Sequence, residues 1–136
     1  MRSALAGLVL LSLTGTGKPA DDACVRYIVA PGYPRLARMA RLQGSVTVEV
    51  KVAEDGRVLS AKGIGAHNLL IRASEENVAH WIFDTGLDKN GASIKRTVIY
   101  VYRLEGKEQY YDSMPLVVFD LPGHVEITAH PPEPQP

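Results

Sequence analysis

The chain has a single cysteine, Cys24, among its 136 residues. One thiol excludes an intrachain disulfide and any multi-cysteine zinc or iron–sulfur site. A surplus of charge of either sign is equally absent, since 15 basic residues balance 15 acidic ones. No global field therefore draws the chain to nucleic acid or to a membrane surface, and electrostatic recognition has to be local. Long hydrophobic runs are missing too. The apolar stretch near the N-terminus, Ala4 to Leu13, is about half of the roughly 20 residues that a membrane-spanning helix needs.

Catalytic signatures are also lacking. His67, His80, His124 and His130 show neither HExxH spacing nor an i,i+4 pair, so no metal is expected. There is no G-x-S-x-G elbow and no phosphate-binding loop, and Gly63-Ile64-Gly65 lacks the remaining positions of a nucleotide fingerprint. The carboxylate pairs Glu54-Asp55 and Glu75-Glu76 fall where a turn and a wet helix face already account for them. The composition reads as a non-enzymatic protein without cofactor, and its length suits one core.

What is present begins with an address. Arg2, the apolar run and the small residues up to Ala20 have the layout of a secretory signal peptide, with a short anchor as the alternative. Export places the protein in the periplasm, or anchored in the inner membrane and facing it, with membrane contact only through residues 1–20 if they are retained. Residues 21–30 read as a linker. Asp21-Asp22-Ala23 is a poor approach to lipidation of Cys24, which reads as a free or partly buried thiol.

The stretch from Tyr33 to Val58 carries the densest signals. Pro34 suits a first helical position. A helix over Arg35 to Gln43 puts Leu36, Met39, Ala40 and Gln43 on one face, while Arg35, Arg38 and Arg41 form a basic stripe on the other. That stripe is either a solvated face or a contact for an acidic partner or phosphates. Gly44 fits the left-handed residue that ends many helices. Val46, Val48, Val50 and Val52 alternate with Thr47, Glu49 and Lys51, as a strand with one dry face does. Asp55-Gly56 signals a hairpin into a strand over Val58 to Ile64, with Gly63 and Gly65 marking a bulge.

Asn68 suits the cap of a helix from Leu69, with Leu70, Ala73, Ser74, Asn77, Val78 and Trp81 inward. Trp81 and Phe83 then anchor the core. After a polar loop holding Lys89-Asn90-Gly91, Ile94 to Leu104 is rich in β-formers on both faces, as in a covered strand or a contact surface. Leu116–Phe119 and Val125–Thr128 flank a turn and read as a second hairpin, and PPEPQP reads as a disordered tail.

Taken in order, Tyr33-Pro34, the short arginine-bearing helix, Gly44, the valine strand, Asp55-Gly56-Arg57-Val58, Asn68-Leu69-Leu70 and Trp81-x-Phe83 resemble the carboxy-terminal domain of TonB proteins, over roughly residues 31–104. The resemblance implies an α+β fold, two helices on a small antiparallel sheet of about three strands, to which residues 105–130 add a hairpin and 131–136 a Pro-rich tail. It also implies TonB-dependent transport, in which the domain grips an extended segment of an outer-membrane receptor by strand addition. Carried over by position, the gripping edge is the third strand, with Lys95, Thr97, Ile99, Tyr100, Val101, Tyr102 and Arg103. Tyr100 and Tyr102 either touch the partner or line the core. An exposed edge also admits a homodimer. Against a full transducer role stand the short tether, 19 residues between Leu13 and Tyr33, which reach about 65 Å when stretched, and the added hairpin over Leu116 to Thr128, which could pair with or shield the third-strand edge. The alternative is a soluble periplasmic binding or scaffold module without energy transduction.

Overall fold

The computed structural model describes residues 25–85, 94–108, 114–121 and 123–134. The N-terminal address, Cys24, the Lys89-Asn90-Gly91 turn and Tyr110-Tyr111 lie outside the described residues. The elements run β1 (Val25–Tyr27), α1 (Arg35–Met39), β2 (Gly44–Val52), β3 (Val58–Gly65), α2 (Asn68–Val78), β4 (Ile82–Phe83), β5 (Ile94–Leu104), β6 (Leu116–Asp120) and β7 (His124–Ala129). The fold is α+β, as expected.

The valine alternation of β2 sets the layers. Val46, Val48, Val50 and Val52 are all buried, each contributing about 1.5–3 kcal/mol through burial. They face α2, whose inner side presents Leu70, Ser74 and Val78. β2 pairs antiparallel with β3 on one side and β5 on the other. Between β2 and β3 the Gly56 N–H donates to the Ala53 carbonyl at 2.9 Å, closing a tight turn in which Gly56 has φ 90°. That is the positive-φ position of a three-residue hairpin loop.

Gly63 and Gly65 mark no bulge. The β2–β3 register is unbroken from Val46↔Gly65 to Lys51↔Ser60 and shifts only between Lys51 and Val52. Gly63 instead lets α2 lie close, for a Cβ there would meet a methyl of Ile71 at 2.9 Å. α2 also starts one residue earlier than expected. His67 is its cap and Asn68 its first residue, with no side-chain capping bond.

α1 departs further from expectation. It ends at Met39, and the left-handed residue after it is Arg41 (φ 55°), while Gly44 (φ 147°) opens β2. Five residues make little more than one turn, too few for a 3,4 stripe to set the inward face. The Tyr33 hydroxyl donates to the Leu42 carbonyl, and the turn it helps to fix leaves Ala37 and Arg38 buried. Leu36, at 65% exposed, and Met39, at 46%, point outward.

The linker reading of residues 21–30 also needs correction. Val25–Tyr27 is a strand paired antiparallel with β4. Val25 and Ile28 pack against the core.

Beside the two-stranded β1-β4 sheet, the main sheet has the order β3-β2-β5-β7-β6. β6 and β7 pair antiparallel, and β7 inserts parallel to β5 from Ile99↔His124 to Leu104↔Ala129. The three antiparallel strands β3-β2-β5 and the C-terminal hairpin are as expected; the parallel junction of β7 with β5 merges them into one mixed, five-stranded sheet. Two needs are met at once. Val125, Ile127 and Ala129 are buried, and the backbone groups of β5 from Ile99 to Leu104 find partners.

Residues 131–134, expected in a disordered tail, are placed beside α1. The buried Arg38 donates through Nε to the His130 carbonyl, and Arg41 Nη2 donates to the Pro132 carbonyl at 3.3 Å.

Candidate functional site

An edge site has to offer unpaired backbone groups and side chains within reach of a partner. β5, where the resemblance places that edge, is interior to the sheet. Its Ile99 N–H donates to the Gly123 carbonyl at 2.7 Å, so by alternation the backbones of Val101 and Arg103 also turn toward β7. The side chains fare no better as contacts. Tyr100 and Tyr102 are fully buried, so of their two readings the core-lining one applies.

Both tyrosines belong to a buried polar network that joins β5 to α2. Tyr102 shares a hydroxyl–hydroxyl bond of 2.8 Å with Ser74. Tyr100 donates to Asn77 Oδ1 at 2.8 Å, and Trp81 Nε1 donates to the same oxygen at 3.0 Å. Asn77 Nδ2 in turn donates to the Val29 carbonyl at 2.9 Å. The sequence carried a signal for this network: Ser74 and Asn77 are polar at inward positions of α2, and a buried polar group needs a partner.

Burial pushes the Tyr102 phenol up to about 12, against a partial lowering by the Ser74 hydrogen bond. Burial, with the neighbouring Tyr102, likewise raises Tyr33 to about 12 and carries Tyr100 well above the ordinary phenol value. Unfolded phenols ionise near 10. The stability these groups contribute is therefore complete below pH 10 and is lost as pH rises from about 10 to about 12. The expected result is a melting temperature that is level from pH 8 to 9.5 and falls steeply above 10. Tyr102→Phe should blunt that fall, and circular dichroism melts read both.

The remaining expected site residues are dispersed. Lys95 and Thr97 lie on the part of β5 that β7 does not reach, and with Ile99, Val101 and Arg103 they face the side of the sheet away from α2. Arg103 pairs with Glu126 at 3.2 Å and reaches Glu105 at 4.0 Å. The basic stripe is not a free face. Arg38 is buried and Arg41 pairs with Glu108 at 3.3 Å, while Arg35 is exposed at the start of α1. Pro34 precedes α1. Tyr33 stands edge-on to Tyr102 with ring centroids 5.4 Å apart. Trp81 and Phe83 are buried, and Gly56 accepts the Phe83 N–H at 2.8 Å.

Besides the short stretch of β5 before Ile99 that β7 does not reach, two edges remain at the ends of the sheet. On β3 the Gly63 N–H is taken by Glu75 Oε1 at 3.0 Å, and the register shift near Val58 further breaks the row. On β6 the pairing with β7 is continuous from Leu116↔Thr128 to Asp120↔His124. Among the described residues no strand pairs with its outer side. Leu116 is 66% and Val118 48% exposed, while Val117 and Phe119 pack on the core. β6 is therefore an extended, uncharged edge up to Asp120, and sequence reasoning did not single it out. Its signal was the run Leu116-Val117-Val118-Phe119 itself, which holds no lysine, proline or other edge guard.

Among the described residues, no group of three or more His, Cys, Asp or Glu side chains is placed to hold a metal ion, and no helix is long and apolar enough to cross a membrane. Residues 29–104 match the family model described as Gram-negative bacterial TonB protein C-terminal. No curated protein and no solved structure matches the chain. The matched family is one of protein-interaction domains associated with TonB-dependent transport in the cell envelope, not a family of enzymes. The match covers more than half of the residues, and the chain belongs to the TonB C-terminal family.

Proposed function

We propose that this protein binds an extended segment of an outer-membrane transporter, or of another envelope partner, by strand addition at the outer edge of β6. One observation carries the reading. The β5 edge, to which the resemblance assigns the partner, already holds an added strand in parallel register, and that strand is the chain's own β7. β7 buries Val125, Ile127 and Ala129. Lifting it off would expose apolar side chains worth about 1.5–3 kcal/mol each for the larger two. Adding a sixth strand beyond β6 exposes nothing. Main-chain hydrogen bonds would give such a segment its affinity, and the alternation of Leu116 and Val118 against Val117 and Phe119 its pattern.

Peptides covering the periplasm-facing segments of outer-membrane transporters from the same cell, titrated into the full chain, test this. Val118→Pro places a residue without an N–H in the middle of β6, and affinity is expected to fall at least tenfold. Unchanged affinity, with the melting temperature retained, would remove β6 as the acceptor.

The occupied β5 edge also favours a second reading, a periplasmic binding or scaffold module without an energy-transducing role. The intact mass of the protein taken from the cell envelope separates the two. A chain that keeps residues 1–20 supports transduction, and one starting near Lys18 supports the scaffold.

A further inference from the structure

The sheet face turned away from α2 holds a feature that the strand-edge reading does not use. Glu49 and Lys51 point out from β2. Pairing sets Lys62 and Thr97 across from Glu49, and Ser60 and Lys95 across from Lys51. Lys51 and Lys95 thus oppose each other directly, an arrangement that destabilises a sheet. Among the described residues no ion pair engages Lys51, Lys62 or Lys95. Together these side chains line a groove of about 530 Å³ in which Glu49 is the one carboxylate. The Arg96 guanidinium also lines the groove, and three ammonium groups against one carboxylate give it a net positive charge. The next row along the same face is apolar at both ends, with Ile64 and Ile99 on either side of Thr47, and both isoleucines are exposed.

We propose that this groove binds an acidic, extended segment of a partner protein. Its carboxylates lie among Lys51, Lys62 and Lys95, and an apolar residue beside them rests toward Ile99. Charge complementarity selects the occupant. An anion seated between Lys51 and Lys95 converts a repulsive cross-strand pair into an attractive triad, so the stability given up in the free protein is recovered on binding. The groove volume falls within the range that encloses a small ligand or a few residues of chain. Glu49, set among the lysines, opposes a continuous anionic surface such as a lipid bilayer but leaves room for spaced carboxylates. Because the lysines are exposed, affinity should fall as salt is raised.

The test is a titration of the full chain with an end-blocked hexapeptide of alternating glutamate and valine, followed by backbone amide shifts. Shifts centred on Lys51, Lys62 and Lys95 are expected, with affinity lowered at least tenfold in Lys51→Glu/Lys95→Glu. The single variant Lys95→Glu should also lose affinity while its melting temperature rises, since it replaces two opposed cations by an ion pair. Loss of binding then cannot come from unfolding. Undiminished affinity in the double variant overturns the proposal. So does binding confined to phosphatidylglycerol vesicles, which would assign these lysines to a membrane surface. Val118→Pro leaves this site intact, so failure here and failure of strand addition at β6 are told apart.

Discussion

Gly56→Ala is expected to lower the unfolding free energy of the full chain by about 3 kcal/mol, from positive-φ strain and a lost hydrogen bond. Gly56 has φ 90°, a conformation that L side chains rarely adopt. A Cβ built there would lie 2.0 Å from the Phe83 carbonyl oxygen. That oxygen belongs to backbone, not to a side chain that can swing away, so the turn must separate from β4. The Phe83 N–H bond to the Gly56 carbonyl, 2.8 Å long, is then lost. Strain of this kind costs about 1–3 kcal/mol, and the lost bond adds about 1. Against a total stability of about 5–15 kcal/mol for a domain, the change is large. Urea denaturation of wild type and variant reads it, and a shift under about 1 kcal/mol would show that the turn is not held against β4.

Trp81→Ala should cost more, about 3–5 kcal/mol, the usual range for a fully buried aromatic. Trp81 is the largest buried side chain and joins three parts of the molecule. Its ring centroid lies 6.0 Å from Phe83, 6.3 Å from Tyr100 and 6.2 Å from Phe119, so it touches β4, β5 and β6 together. Its Nε1 donates to Asn77, and removal also leaves Asn77 short of one partner in a buried network. Because Phe119 is on β6, the loss should loosen the C-terminal hairpin as well as the helical layer. Leu36→Ala is the matched control. That side chain is largely exposed, and a change within about 0.5 kcal/mol is expected. If Trp81→Ala unfolded no more easily than Leu36→Ala, the hairpin and the helical layer would not share a core.

The features that could be read from the chain are those set by local periodicity. β2 was plain because valine recurs at every second residue, and α2 because its apolar positions recur at helical spacing. The inward side of α1 is not legible in the sequence because five residues are too few for spacing to fix it, and the turn held by the Tyr33 hydroxyl brings Ala37 and Arg38 inward. β1 escaped notice because three residues carry no period of their own and are held by a strand 58 positions away at Phe83. The neighbour of β5 stays open in the sequence for a related reason, since the added hairpin can be read as covering that edge or as standing apart from it. The alternation in Val125, Ile127 and Ala129 shows that β7 has a dry face, but alternation does not say which edge it joins. Insertion between β5 and β6 follows from what those side chains bury against, a property of the assembled core.

Placement of β7 decides the functional reading, since it moves the open edge from β5 to β6. Backbone hydrogen exchange on the full chain, alone and with a transporter segment that binds it, tests this most directly. The N–H groups of Ile99, Val101 and Arg103 should exchange slowly in the free protein and stay slow on binding, while alternate N–H groups of β6 from Leu116 to Asp120 gain protection. Fast exchange at Ile99, Val101 and Arg103 in the free protein, slowed only when the segment binds, would return the acceptor edge to β5 and contradict the account.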